Sequence, residues 1–298
     1  MATILQQLLY LYLFLFLGWL FGKLKKDLCA HTGILSFLLV HLFLPSKVFG
    51  SFSKNFTVNY ITKQYPTILF SVGLLLCIVG GALLISKLLT KKEYEQKVYR
   101  YSLTLSNYAY MGYILAEELY GPQGLTDLIL FCIPFALYTY TFGYMMLTGK
   151  GNPLKRLINP LTGAIVLGIL FGLTGLSLPA VITKILTASS ACVGPVSMIM
   201  TGIVLSGFAF RELILNKVAY VVVAIRLLAL PLLVFGVCKL FSLNAILPSA
   251  LLMAAMPCGL NTIVFPKLVG EDCKTGARLA LLSHLFSLLT LPLWLSLL

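Results

Sequence analysis

The sequence predicts an all-α polytopic membrane protein with ten transmembrane helices. Of its 298 residues, 59% are hydrophobic and only 10% are charged, and the mean hydropathy is +0.98. Soluble proteins carry about 25% charged residues, so this composition excludes a water-soluble enzyme. Apolar runs of about 20 residues, each long enough to cross a bilayer as a helix, follow one another along the chain.

The apolar runs set the boundaries of the predicted helices, which are numbered 1 to 10 in chain order. They cover residues 4–22, 31–50, 66–90, 98–119, 125–148, 157–177, 185–209, 215–240, 246–268 and 276–297. Lys23, Lys25 and Lys26 follow the first run and no basic residue precedes it, which reverses the order of a secretory signal. The first run is therefore predicted to be a retained membrane helix.

The 22 Lys and Arg residues predict the orientation of these helices. Sixteen of them lie in odd-numbered loops and five, Lys47 among them, in even-numbered loops, whereas Arg226 lies inside predicted helix 8. Because positive charge marks the cytoplasmic side, both termini are expected outside the cytoplasm of a multi-pass cell-membrane protein. The net charge of +13 then belongs to short loops beside the lipid bilayer, and no nucleic-acid partner is expected.

The helix count also predicts an internal repeat. Residues 1–148 hold five helices, residues 149–156 form a cytoplasmic connector, and residues 157–298 hold five more. Because five is odd, the two halves have opposite orientations. Inverted repeats of this kind recur in secondary transporters, whose substrate sites lie near the membrane midplane where the repeats meet.

Four residues occupy matching places in the two halves. Pro45 in predicted helix 2 corresponds to Pro195 in predicted helix 7, and Asn107 in predicted helix 4 corresponds to Asn261 in predicted helix 9. We expect the two prolines to line the site. The two asparagines are the candidates for substrate contact.

The residues around the two asparagines predict broken helices. Pro removes a backbone donor and Gly loosens a helix, so Gly112, Pro257 and Gly259 are the candidate breaks. Unwound backbone within a bilayer is tolerated only where it lines a cavity or is buried in protein. Half-helix N-termini at such a cavity favour an anion. The predicted substrate-binding residues are Asn107, Tyr108, Tyr110, Asn261 and Thr262. The alternative for each asparagine is a hydrogen bond between helices.

Tyrosines are concentrated around the first of these segments. Tyr99, Tyr101 and Tyr120 are assigned to the interfacial belt of aromatic residues. Tyr138 and Tyr140 fall deeper, as Tyr108 and Tyr110 do, and either line a cavity or pack in the protein interior.

Six sequence motifs in three parts of the chain resemble the auxin efflux carrier family of membrane transporters. Predicted helices 1 and 2 read LGWLFGKL and LVHLFLPSKVFGSFSK, and predicted helix 4 with its loop reads SNYAYMGYILAEELYGPQG. The second half contains INPLTGAIVLGILFGLTGLSLP, AAMPCGLNTIVFPKLVGED and SLLTLPLW. The order and spacing of these motifs cover nearly the whole chain, and the short connector resembles the short bacterial members.

The resemblance implies a bile-acid sodium symporter-like fold with crossed, broken helices 4 and 9. It implies a scaffold of predicted helices 1, 2, 6 and 7, a moving transport domain of predicted helices 3–5 and 8–10, and a homodimer. Carried over by position, Asn107 and Asn261 match the crossover asparagines, and Pro257 matches the crossover proline of helix 9. Ile114 stands where the family pattern of helix 4 has proline, which leaves the break in that helix open.

The charged residues bear on the energy source. None of the nine acidic residues lies at the centre of a predicted span, whereas ion-coupled carriers commonly use a buried carboxylate. Glu117 or Glu118, at the end of predicted helix 4, is the candidate for a peripheral proton site. Arg226 is either a substrate counter-charge or a partner of backbone carbonyls, and His284 is either a helix contact or a proton relay. No residue spacing indicates a metal site or a cofactor.

Together these features predict a secondary transporter that exports a small organic anion, such as an auxin-like or malonate-like carboxylate. The predicted mechanism is elevator-type alternating access, with uniport driven by the substrate gradient and the membrane potential. The alternatives are a proton- or sodium-coupled carrier of the same fold and an integral-membrane enzyme. The sequence does not identify the substrate.

Overall fold

Helices make up 84% of the chain in the computed structural model. The structure describes residues 2–298, and it describes their side chains except those at 2, 3, 267 and 268. Within residues 2–298 there is no β-strand beyond a single bridged residue pair. The prediction of an all-α protein is confirmed.

The first half of the chain is built from seven helices. They are α1 (Ala2–Leu24), α2 (Leu28–Leu38), α3 (Leu44–Asn55), α4 (Val58–Leu89), α5 (Glu93–Thr104), α6 (Tyr113–Tyr138) and α7 (Tyr144–Thr148). Wider π-helical turns at Leu39–Phe43, Tyr108–Gly112 and Thr139–Gly143 precede α3, α6 and α7.

The second half continues the numbering to α17. Its helices are α8 (Pro153–Arg156), α9 (Pro160–Thr174), α10 (Ala180–Ala191), α11 (Val193–Ser206), α12 (Phe210–Ile214), α13 (Lys217–Ala224), α14 (Leu230–Leu240), α15 (Leu247–Ala255), α16 (Asn261–Val269) and α17 (Lys274–Leu295). A π-helical turn at Ile225–Ala229 joins α13 to α14.

Seven helical segments among the described residues are long and apolar enough to cross a membrane. They are Ile4–Leu24, Leu28–Asn55, Val58–Leu89, Tyr108–Thr148, Ala180–Ser206, Lys217–Leu240 and Lys274–Leu295. The other predicted spans differ because the structure joins, shortens or divides them. Predicted helix 6 is the shorter α9, predicted helix 9 is divided into α15 and α16, and most of predicted helix 4 is continuous with predicted helix 5. The count of ten spans and the inverted repeat stay predictions.

The long segment that contains α6 turns sharply at Gly121. This residue has φ 69° and ψ −169°, a conformation that glycine adopts without the steric cost of a Cβ. Pro122 follows and suits the first turn of the next helix, since its missing N–H would have no intrahelical acceptor there. The turn lies between residues 119 and 125, where the apolar runs of predicted helices 4 and 5 are separated.

Two helix pairs approach each other closely through glycines. A Cβ built at Gly202 of α11 would overlap the carbonyl oxygen of Leu15 in α1, and one at Gly172 of α9 would overlap the carbonyl oxygen of Phe56, which follows α3. Small residues allow such backbone approach between membrane helices. The contacts therefore join predicted helices 1 and 7, and predicted helices 2 and 6. Their role as a static scaffold stays a prediction.

Candidate functional site

Two helices are interrupted near the middle of the molecule, and the interruptions lie against each other. Helix α5 ends at Thr104, and non-helical backbone at residues 105–107 separates it from the helical chain that leads into α6. Helix α15 ends at Ala255, and residues 256–260 separate it from α16. Each interruption leaves one half-helix ending and another beginning at the same place.

Backbone hydrogen bonds hold the two interruptions together. Ser106 and Cys258 form an antiparallel bridge. The amide of Asn107 donates to the carbonyl of Pro257 at 2.8 Å, and the amide of Gly259 donates to a carbonyl of the partner segment at 3.3 Å. Some of the backbone groups freed from the helices are therefore satisfied by the other segment, as burial in a membrane requires.

The break in α5 contains no proline. Pro257 removes a donor from the other segment and favours extended backbone at Met256, whose ψ is 146°. The first segment is extended because it pairs with the second. Gly112, a predicted break, has helical φ and ψ of −63° and −42°. Ile114 lies within α6, so this break does not require the proline of the family pattern.

Asn107 is positioned by His284 of α17. The Nδ2 of Asn107 lies 3.2 Å from the Nε2 of His284, and the Nδ1 of His284 lies 2.7 Å from the carbonyl oxygen of Ala280. A carbonyl can only accept, so the network assigns the ring proton to Nδ1 and makes Nε2 the acceptor for Asn107. All three groups are buried. His284 thus makes a helix contact, one of its two predicted roles, at the centre of the predicted site.

Asn261 is positioned by Tyr101. Its Nδ2 donates to the hydroxyl of Tyr101 at 3.0 Å. Tyr101 has 0% relative exposure and lies one turn before the break in α5. Its assignment to the interfacial belt is wrong, because the tertiary structure carries this ring to the crossing of the two interrupted helices.

The crossing borders a small cavity of about 30 Å³, whose lining is mixed polar and apolar. Asn107, Tyr108, Tyr110 and Asn261, which are predicted substrate-binding residues, all line it. Tyr140 also contributes to the lining. A water molecule needs at least about 10–15 Å³, so this cavity has room for about two waters and is by itself too small for an organic acid.

Two leucines face this cavity from the helices assigned to the scaffold. They are Leu44 of α3 and Leu161 of α9. The predicted lining residues Pro45 and Pro195 do not line the cavity, although Pro45 is adjacent to Leu44. Sequence reasoning missed both leucines, because one leucine in an apolar helix carries no distinguishing signal.

Thr262 does not line the cavity either. Its hydroxyl donates to the carbonyl of Gly259 at 3.1 Å, and its backbone lies tightly against Gly276 of α17. Successive residues of an α-helix point about 100° apart, so a residue next to Asn261 faces another direction. The expectation that Thr262 contacts substrate is therefore not supported by its position.

A larger cleft of about 530 Å³ adjoins the small cavity. The two share Tyr140 and Asn261 in their linings, and the cleft extends to His41 and Arg156. The guanidinium carbon of Arg156 lies 3.2 Å from the ring centre of Tyr144. Arg156 thus lies in the wall of this cleft, on the side that the loop charges predict to be cytoplasmic.

Two half-helices begin at the small cavity. Asn107 precedes the helical chain that continues through α6, and its carbonyl accepts the amide of Met111 at 3.1 Å. Asn261 is the first residue of α16. The first amides of a helix lack intrahelical acceptors and carry the positive end of its dipole. The cavity therefore lies at two positive helix ends.

Arg226 is fully buried but does not line this cavity. It donates to the carbonyls of Leu103, Met253 and Met256 at 3.0, 3.0 and 3.3 Å. Of the two predicted roles, the contact with backbone carbonyls is the one observed.

Glu117 forms an ion pair with Lys47, which lies inside α3 and is buried. Counting Lys47 among the loop charges is wrong, because it is buried within a helix, which the predicted span 31–50 also covers and which continues to Asn55. The pair borders a separate cavity of about 200 Å³ that Lys54 also lines. Glu117 is thus paired with a cation and does not line the crossing.

The acidic residues lie away from the crossing. All nine belong to the described part of the chain, and each of their side chains is at least partly exposed. In the described part of the chain, no three His, Cys, Asp or Glu residues come together in a group that could hold a metal ion.

Comparisons with known proteins extend over the whole chain. An uncharacterized transporter of Methanocaldococcus jannaschii is 28% identical over 293 residues, which is 92% of this chain and 91% of the relative. A family model described as membrane transport protein matches residues 3–156 and 152–295. The chain therefore belongs to this membrane transport protein family, which is the family of the auxin efflux carriers that its motifs resemble.

Proposed function

We propose that the protein is a uniporter that exports a small organic anion, of the size of malonate or an auxin-like carboxylate, across the cell membrane. The observation that carries the proposal is the crossing at Asn107 and Asn261, where two half-helices begin at one cavity. Each asparagine offers donors and an acceptor, and the helix ends add partial positive charge. This combination favours a carboxylate over a cation.

The two asparagines are held in place by other side chains. His284 and Tyr101 each occupy one amide donor, at 3.2 and 3.0 Å. Such contacts orient each side chain before substrate arrives and so reduce the entropy lost on binding.

The small volume of the site supports an alternating mechanism. At about 30 Å³ the cavity is too small for a carboxylate, so the helices around it must separate for substrate to enter. The cleft beside Arg156 and Tyr140 offers the direction of entry. We expect the half-helices of the crossing to move as a unit past the scaffold leucines Leu44 and Leu161, in the manner of an elevator.

The distribution of charge favours uniport. A proton or sodium ion that crosses with the substrate commonly requires a carboxylate inside the membrane. Every acidic residue of this chain is at least partly exposed, and Glu117 is paired with Lys47. The membrane potential alone supplies about 2.3 kcal/mol per 100 mV for a monovalent anion that leaves a negative interior.

Efflux from proteoliposomes tests the proposal. Radiolabelled malonate and indole-3-acetate are trapped inside, potassium with valinomycin sets the voltage, and both pH and sodium are equal across the membrane. We expect efflux to accelerate as the interior becomes more negative and to persist when choline replaces sodium. Efflux that requires a proton or sodium gradient at clamped voltage would favour a coupled carrier. If no trapped carboxylate leaves and none in a wider panel binds, the proposal fails.

Alanine substitution tests the site itself. Hydrogen bonds to a charged group contribute about 1.5–3 kcal/mol, so Asn107→Ala or Asn261→Ala should weaken carboxylate binding about tenfold to a hundredfold. The matched control is Asn59→Ala, because Asn59 is exposed near the start of α4. Binding is followed by the shift in melting temperature as malonate or indole-3-acetate is added. Unchanged binding in both crossover variants would refute the assignment of the site.

The loop charges support a cell-membrane protein with both termini outside the cytoplasm, and the family resemblance supports a homodimer through the scaffold. A cysteine introduced at residue 298, with a control cysteine introduced at residue 152, tests the orientation of the chain in the membrane when intact cells are labelled. We expect an impermeant maleimide to label the first and to spare the second.

A further inference from the structure

Arg226 holds a full positive charge at the crossing without a carboxylate partner among the described residues. It has 0% relative exposure and lies in the π-helical turn between α13 and α14. Its three described hydrogen-bond partners are all backbone carbonyls. A buried cation needs such compensation, because the transfer of an isolated charge from water to an apolar interior is very costly.

The three carbonyls belong to the ends of two half-helices. Leu103 lies in the last turn of α5, Met253 lies in the last turn of α15, and Met256 is the residue that caps α15. The final carbonyls of a helix lack intrahelical donors and carry about half a negative charge in total. Two such ends together offer about one negative charge, which one guanidinium neutralises.

The crossing of the two interrupted helices therefore has a positive side and a negative side. The half-helices that follow the two interruptions have their positive N-terminal ends at the cavity of Asn107 and Asn261. The half-helices that precede the interruptions have their negative C-terminal ends at Arg226. In carriers with discontinuous helices, unwound carbonyls and half-helix C-terminal ends are the groups that coordinate a transported sodium ion or proton. In this chain the guanidinium of Arg226 contacts these groups.

We propose that Arg226 is a built-in cation that replaces a coupling ion at the crossing. The guanidinium neutralises the helix ends permanently, so the anion site forms without the binding of sodium or a proton. This inference rests on the proposed function and deepens it, since it names the residue that makes uniport possible. Arg226 acts as a positioning residue, because it contacts backbone and not the cavity.

A pair of substitutions separates the charge from the shape of the side chain. Arg226→Lys keeps the positive charge, whereas Arg226→Gln has no charge and keeps a donor group. We expect Arg226→Lys to have a higher melting temperature and a higher affinity for malonate than Arg226→Gln. Arg211→Gln is the control, because Arg211 is exposed in α12. If the Lys and Gln variants behave alike, the charge is irrelevant and the proposal is overturned.

Chemical rescue of the melting temperature by an added cation tests whether the positive charge is needed, because a role in packing alone would not respond to that cation. In Arg226→Ala, millimolar methylguanidinium chloride should raise the melting temperature in a saturable way, and an equal concentration of choline chloride should not. The wild type and Arg211→Gln should show no such saturable effect. Arg226→Ala that is as stable as the wild type, or that responds equally to both salts, would overturn the proposal. If Arg226→Ala cannot be purified, the comparison of the Lys and Gln variants decides.

The wild type offers a test that needs no substitution. Malonate binding and efflux should be the same in sodium and choline buffers, and over a moderate range of equal internal and external pH. Binding that strengthens with sodium would overturn the role of Arg226 while the transporter proposal stands. If no carboxylate is transported, the proposed function fails, but the rescue experiment still reports whether a cation is required at the helix ends.

Discussion

Replacing Tyr101 with phenylalanine tests whether the orientation of Asn261 controls anion binding. The change removes one hydroxyl, which accepts a hydrogen bond from the amide of Asn261 at 3.0 Å, and keeps the aromatic ring. The edge-to-face contact between the rings of Tyr101 and Phe265, with centres 6.3 Å apart, is retained. The variant therefore removes the hydroxyl, from a residue that also lines the cavity of the crossing, and leaves the packing of the ring in place.

The expected effect follows from the burial of this pair. An intramolecular hydrogen bond contributes a net free energy of about 0.5–1.5 kcal/mol, which corresponds to about a 2- to 12-fold change in a dissociation constant. The small cavity beside Asn261 can admit a water molecule to replace the lost acceptor. We therefore expect Tyr101→Phe to weaken carboxylate binding by a factor in the lower part of this range.

Titration calorimetry with malonate measures this factor directly. Tyr99→Phe is the matched control, because Tyr99 is buried in the same helix and does not line the cavity of the crossing. Tyr99→Phe should bind malonate as the wild type does. Equal affinities of Tyr101→Phe and the wild type would refute the reasoning, and so would an equal loss in both variants.

Two further substitutions test the packing that holds the site. His284→Leu removes the imidazole acceptor of the Asn107 amide. Because an unsatisfied buried donor costs about 1–3 kcal/mol, both the melting temperature and the carboxylate affinity should fall. An unchanged affinity would contradict the positioning role of His284. Gly202→Ala would bring a Cβ into overlap with the carbonyl oxygen of Leu15 and should lower the melting temperature, since overpacking typically costs about 1–3 kcal/mol. Gly163→Ala is its control, because a Cβ there meets no atom within 4 Å, and equal melting temperatures of the two variants would refute the close helix contact.

Local sequence was sufficient to predict an all-helical membrane protein and to single out the two central asparagines. Long apolar runs must form helices in a bilayer because every backbone polar group needs an internal partner there. Asn107 and Asn261 are distinguishable because a polar amide beside Gly or Pro is unusual in such a run. Both line the cavity of the crossing, as do Tyr108 and Tyr110. Their contact with substrate stays a prediction.

Three expectations depended on where a side chain points: those for Tyr101 and Lys47 were wrong, whereas substrate contact by Thr262 stays a prediction. Thr262 is one residue from Asn261, but a helix rotates it away from the cavity. Tyr101 resembled an interfacial tyrosine because its helix begins in a charged loop, yet the ring is fully buried at the crossing. Lys47 resembled a loop residue, but α3 buries it and provides Glu117 as its partner.

The sequence by itself determined the all-helical membrane class and the family and singled out the two asparagines as candidates, because these depend on composition, on the order of motifs and on local polarity. Only the tertiary structure decided which groups support them. His284 is 177 residues from Asn107, and Tyr101 is 160 residues from Asn261. Periodicity carries no information about contacts over such separations. The break in α5 and the partners of Arg226 likewise exist only because two distant segments cross and exchange backbone hydrogen bonds.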